Sequence, residues 1–314
     1  MAVAAKKPQV TTTDAVRARL RGSKVDVKGI VFEALLLLAL LLSLAILVSL
    51  LVEVVSGGAG VLRERGMDFL TGNLSVVTAL TAGIGQGIYG SLMLILIVAV
   101  VAFPLGIGAA IYLEEYAPDT RFTRFVNVNI RNLAGVPSIV YGLLGLSIFV
   151  QMLGSVTGGK SLLTGGLTLA VLVLPIVIIT SAEALRAVPS SIREAGFGVG
   201  ATPWQVIRSH VLPSAAPGIL TGTVLSIARA LGETAPLLVV GAVTGFLATG
   251  GANFIEQLQG KFTSLPTIIY RWSTLPNASF REQLTPAAII VLLAVTLLAN
   301  ATAIILRNRY ERKW

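Results

Sequence analysis

Residues 88–113 read IYGSLMLILIVAVVAFPLGIGAAIYL, a run without a single Asp, Glu, Lys or Arg. A helix crossing a hydrocarbon core of roughly 30 Å needs about 20 mostly apolar residues, and this stretch exceeds that length. Five further runs qualify, near 30–55, 133–153, 162–182, 217–246 and 286–306, so the sequence predicts an all-α membrane protein with six transmembrane helices. The composition agrees. Of 314 residues, 54% are hydrophobic and 12% charged, against roughly 25% charged in soluble domains, and the mean hydropathy is +0.84. With no cysteine and one histidine, thiolate or multi-histidine metal sites and disulfides are excluded.

The net charge of +9 does not describe a nucleic-acid face, because the basic residues stand at the ends of apolar runs and not in one patch with interleaved aromatics. Six spans put both termini on one side. That side collects the residues before the first span, the segments with Arg121, Arg124, Arg131 and with Arg186, Arg193, Arg208, and the residues after the last span, for 17 basic residues. The opposite side has six: Arg63, Arg65, Lys160, Lys261, Arg271 and Arg281. The positive-inside rule makes the richer side cytoplasmic, with a solvated tail over 1–29 and a second over 307–314. The apolar run at 30–55 is too long for a secretory h-region of 7–15 residues, so an uncleaved anchor is expected there. Gly83/Gly87, Gly218/Gly222 and Gly241/Gly245 have the small-xxx-small spacing that allows close helix approach.

Residues 154–161, GSVTGGKS, satisfy the phosphate-loop pattern GxxxxGK[ST]. The context rejects it. The octet joins two spans on the expected outer face, and every aspartate that might hold magnesium (Asp14, Asp26, Asp68, Asp119) precedes it. Any ATPase is expected on another chain.

Between the fourth and fifth spans, residues 183–216 make a connection longer than two helices need. Ser191 and Glu194 have capping-box spacing, so a short helix is expected to start there and to stop at Gly196, Gly198 and Gly200. Thr202 and Pro203 then open a second short helix, which Pro213 and Pro217 are expected to end.

Within this elbow, Glu194-Ala195-Gly196, Gly200 and Leu212-Pro213 resemble the EAA loop of ABC importer permeases, although Gly196 stands where Ala is usual and His210 where Ile is common. IYLEEYA at 111–117, NLAGVPSIVYGLLGL at 132–146, ARALGETAPLL at 228–238 and LPTIIYRWS at 265–273 narrow the resemblance to phosphate importers. The continuation GETAPLLVVGA is similar to the PstA type, and the match runs over 83–306. This resemblance implies a type I ABC importer permease core in the bacterial inner membrane, moving inorganic phosphate. It implies a PstC-type permease as heterodimer partner, two PstB-type ATPases carrying ATP and Mg, and a PstS-type binding protein. No cofactor is implied on this chain. Glu194, Ala195, Gly196, Gly200, Leu212 and Pro213 would be the ATPase-coupling residues. A permease for another oxyanion and the PstC-type partner itself are the alternatives.

Two ionisable residues fall inside a span away from its ends, Arg229 and Glu233. Arg229 lies about 18 Å along the helix from Pro217 at 1.5 Å per residue. A central charge costs about 2.5–3.5 kcal/mol on insertion scales, so it is expected to face protein or water. The i, i+4 spacing brings the pair within reach, while Gly232 and Pro236 are expected to break the ladder beside Glu233. Broken helices line transport paths, and a guanidinium offers an anion a bidentate fork, so Arg229, Glu233 and Thr234 are the candidate substrate-path residues. An intramembrane hydrolase would need catalytic groups in the spans, where there is no Asp or His, and a passive channel has no use for a coupling elbow. No catalytic residue is expected. Finally, 254–258 and 265–272 are expected to form short helices lying on the outer face.

Overall fold

The computed structural model describes residues 27–243 and 253–310. Most of the expected N-terminal tail, Gly245, the end of the expected fifth span and the last four residues lie outside them. The chain divides into two compact units, residues 1–53 and 54–314. Helix α1, Val27–Thr71, kinks at Gly66, where φ is 44°. In the first unit its side chains from Val27 to Glu53 are exposed on all sides, among them Leu35, Leu38, Leu41 and Leu42. A helix apolar around its whole girth belongs in lipid.

In the second unit, α2 (Gly85–Ile111) widens into a π turn at Tyr112–Tyr116. There follow α3 (Arg121–Ala134), α4 (Ser138–Gly145, continued as a π-helix over Leu146–Met152), α5 (Gly154–Thr157) and α6 (Leu162–Arg186). The elbow holds α7 (Ser190–Gly198) and α8 (Pro203–Val206), and a π turn at Ile207–Val211 leads into α9 (Leu212–Gly232). The chain ends with α10 (Ala235–Val239), α11 (Phe254–Leu258), α12 (Leu265–Ser273) and, after a π turn at Phe280–Leu284, α13 (Thr285–Tyr310). No strand occurs among the described residues.

Among the described residues, five helices are long and apolar enough to cross a membrane, and there is a sixth crossing if the bent pair α3 and α4 counts as one. That pair corrects the expected third span at 133–153. The axis turns by 102° between Arg121–Ala134 and Ser138–Met152, so Leu133 belongs to the helix before the bend. Pro137 is the cause: it caps α4 from an extended conformation (φ −55°, ψ 136°) and disfavours helix at Val136 before it.

Helix α6 is the axis of the bundle, packed by α2, α9 and α4, and its Leu169, Val173, Val177 and Leu185 are fully buried or nearly so. Gly218 and Gly222 of α9 meet Ala184 and Thr180 of α6, where an added Cβ would collide, so this small-xxx-small pair is a close helix crossing. Gly83 and Gly87 approach two different neighbours, Gly72 and Ile268, and Gly241 sits in a turn with φ +101°.

The outer connection departs most from expectation. Helices form at Phe254–Leu258 and Leu265–Ser273, but α12 does not lie on the surface: Leu265, Ile268 and Trp272 are completely buried. The Trp272 ring lies between Phe69 (centroids 6.3 Å apart) and Phe280 (5.7 Å), tilted against both, and its indole N–H donates to the Ser75 carbonyl at 3.0 Å. An aromatic with its polar tip satisfied anchors a core, so α12, expected to lie on the outer face, is a structural plug.

Candidate functional site

Helix α9 carries an open face. Gly218, Thr221, Leu225, Arg229 and Gly232 are exposed at steps of three and four residues, which makes one continuous stripe. Arg229 stands near its end with 44% of its side chain exposed, and its Nε lies 3.5 Å from Oε1 of Glu233, which is 16% exposed. The helix stops at Gly232, where expected. Glu233 is extended (φ −77°, ψ 124°) and its N–H reaches the Ala230 carbonyl only at 3.4 Å. After half-buried Thr234 the chain restarts as α10 with Pro236 buried against Gly142 of α4. The two charges thus meet at the break, with the guanidinium the more exposed of the pair.

The elbow is built differently from its sequence signals. Pro189, not Ser191, caps α7, and no side-chain capping bond forms. Ser191 and Glu194 of the expected box are exposed, while Arg193 between them bonds Glu115 and the carbonyls of Leu185 and Val188. Gly196 and Gly198 continue the helix, which Val199 caps before Gly200 adopts φ +83°, a left-handed conformation that a Cβ would strain. Buried Gly196 meets Val206 of α8 so closely that a Cβ would sit 2.8 Å from its Cγ2, which explains glycine where alanine is usual. Thr202 and Gln205 do form the reciprocal capping box, with Pro203 at the first turn. Pro213 and Pro217 do not end this helix. Pro213 lies in the first turn of α9 after the π turn, where its missing N–H costs little, and the backbone runs on through Pro217 as one helical segment, Pro203–Gly232.

The expected coupling residues therefore divide. Glu194, Ala195 and Pro213 are exposed, whereas Gly196 and Gly200 shape the turn and Leu212 packs on the cluster of Val206, Val211 and Ala215. Between α7 and the start of α9 opens a groove of about 700 Å³ lined by Pro189, Ile192, Val199, His210 and Pro213. His210 is a lining residue of that groove.

In the GSVTGGKS octet, Gly158 and Gly159 take φ of 81° and 70°, Ser161 caps α6 by accepting from the Thr164 N–H at 3.2 Å, and Lys160 lies over Gly241. Its polar groups tie a turn. Two contacts escaped the sequence reading. Glu115 pairs with Arg193 and Glu114 with Arg186, across separations of 78 and 72 residues. The only local signal was a doublet of carboxylates at the end of an apolar run.

Comparison with known proteins follows this geometry. Residues 102–314 match the family of the binding-protein-dependent transport system inner membrane component. The chain is 34% identical over 227 residues to the probable ABC transporter permease protein YqgI of Bacillus subtilis, covering 72% of this chain and 73% of that one. It is 36% identical over 223 residues to the phosphate transport system permease protein PstA 1 of Mycobacterium tuberculosis, covering 71% and 70%. Its fold is similar to a chain of a bacterial alginate ABC transporter crystallised with its periplasmic protein, with a TM-score of 0.60 at 16% identity over 94% of this chain and 96% of that one. The chain belongs to the family of binding-protein-dependent transport system inner membrane components.

Proposed function

We propose that this chain is the PstA-type subunit of a phosphate importer, forming half of the membrane path for inorganic phosphate. As a permease subunit it performs no hydrolysis; ATP and Mg are handled by two PstB-type ATPases that dock on the elbow at 183–216. A PstC-type permease pairs with it and a PstS-type protein delivers phosphate from outside. The observation that carries this reading is Arg229, a guanidinium on the open stripe of α9 beside the break, backed by Glu233. An oxyanion with several acceptor oxygens fits a planar fork, and the phosphate permease of Mycobacterium tuberculosis aligns with 71% of this chain. Reconstitution with the three partner subunits should give ATP-dependent, binding-protein-dependent uptake of radiolabelled phosphate. Uptake of sulfate or molybdate in its place would overturn the substrate.

In this reading the elbow faces the cytoplasm, the side to which the positive-inside rule assigns 17 basic residues. Single cysteines at Ser191 and Ala278, both exposed, should label from opposite faces in this cysteine-free chain, the former only from the cytoplasm. Ser264 is unsuitable for the outer probe because it is buried at the start of α12. Labelling of both positions by an impermeant reagent in sealed cells would contradict the orientation.

A further inference from the structure

The carboxylates Glu114 and Glu115 occupy the π turn that ends α2, and both reach across to arginines near the elbow. The two pairs differ in environment. Arg186, on the last turn of α6, is 56% exposed, so its pair with Glu114 is screened by water and contributes little. Glu115 is 8% exposed and Arg193 22%. Arg193 grips Glu115 with both sides of its fork, Nη2 to Oε1 at 2.6 Å and Nε to Oε2 at 3.2 Å. The same guanidinium donates to two carbonyls at the end of α6, Nη1 to Val188 at 2.8 Å and Nη2 to Leu185 at 2.9 Å. A cation among the last carbonyls of a helix also faces the negative end of its dipole.

One side chain of α7 is thus bonded to the ends of both α2 and α6. Its neighbour in sequence, Glu194, points outward from the same short helix. A load applied to the outer face of α7 therefore has a short, polar and directional route into α2 and α6, the most extensively packed helix pair of the bundle. Apolar contacts of the elbow, such as Val206 with Gly196, resist compression but allow sliding, whereas a bidentate pair with two further bonds resists both.

We propose that Glu115 and Arg193 form the joint that converts displacement of the elbow by the ATPase into movement of α2 and α6, making both positioning residues for transport. This rests on the importer reading above. Lysine keeps the charge but cannot serve a carboxylate and two carbonyls in one planar geometry, and glutamine at 115 leaves Arg193 without its counter-ion.

The test uses the whole reconstituted complex and reads phosphate transported per ATP hydrolysed, normalised to assembled complex. Arg193→Lys and Glu115→Gln should copurify with the ATPase and hydrolyse ATP, while that ratio falls by roughly tenfold or more. A double variant, Glu115→Cys with Arg193→Cys, in a complex otherwise free of cysteine, should be uncoupled when open. It should regain coupling when a bifunctional thiol reagent as long as the lost side chains closes the tether, and a stiff link restoring the ratio is a result that mere stabilisation does not predict. A wild-type complex that fails to take up phosphate overturns the importer reading itself. An active wild type with an unchanged ratio in assembled Glu115→Gln overturns the joint alone. Should Glu115→Gln fail to assemble, the tethered variant decides, and equal ratios with the tether open and closed sink the proposal.

Discussion

Phosphate uptake by the double variant Arg229→Gln with Glu233→Gln should fall to background while the complex still assembles. The single change Arg229→Gln removes the cation and leaves Glu233, which is 16% exposed, as a lone charge beside the helix break. A lone charge at such depth costs about 2.5–3.5 kcal/mol on insertion scales, so the single variant should lose assembly as well as transport. Removing both charges relieves that cost, and the double variant separates two roles. If the pair only stiffens the bundle, the double variant recovers assembly and uptake together. If Arg229 handles the anion, assembly returns and uptake does not. Arg229→Lys should lie between, keeping charge without the fork and so reducing transport with assembly intact. Near wild-type uptake per assembled double variant would remove Arg229 from the path. The open stripe on α9 adds a geometric reason to expect the transport role: a purely structural pair is better enclosed, yet 44% of the Arg229 side chain faces outward from this chain.

Glu194→Lys should insert and pack normally yet abolish stimulated ATP hydrolysis. Glu194 is exposed on α7 and no part of the elbow's internal packing depends on it, so the fold has no reason to notice the change. A docking surface does. Breaking a charge contact at an interface costs about 2–5 kcal/mol, and reversal adds repulsion; 2 kcal/mol alone weakens docking by roughly thirtyfold. Copurification with the ATPase and phosphate-stimulated turnover should both drop. Normal stimulation in the reconstituted Glu194→Lys complex would remove this residue from the contact. Its neighbour Arg193 is expected to behave differently, retaining the ATPase while losing transport per ATP, because it faces the bundle and not the partner.

What was legible in the sequence follows from local physics. Apolar length marks the spans because a crossing helix must hold apolar residues through the whole hydrocarbon core, and the helical segments Gly85–Tyr116 and Leu162–Arg186 contain the runs read at 88–113 and 162–182. The break after Gly232 was legible because a glycine and a proline four residues on act on their own backbone, whatever surrounds them. The cap at Thr202 with Pro203 was equally local. The failures have one character. Ser191 and Glu194 have the spacing of a cap, but Pro189 starts the helix and Arg193 is recruited by a carboxylate 78 residues away. Pro213 and Pro217 look like stops, but the packing of α9 on α6 carries the helix past them. LPTIIYRWS has the pattern of a surface helix, and nothing within those residues says that Phe69 and Phe280 will close over Trp272.

By itself, then, the sequence determined the solvent of this chain, its helical elements, the residues of the elbow and the charged pair at the break, because each is written in neighbours along the chain. Only the tertiary structure decided the 102° turn between α3 and α4, the burial of α12, the open face under Arg229 and the joint between Glu115 and Arg193. Those depend on which helices meet, and in lipid that is settled by close packing and by pairing of polar groups from distant segments, to which hydrophobic periodicity is blind.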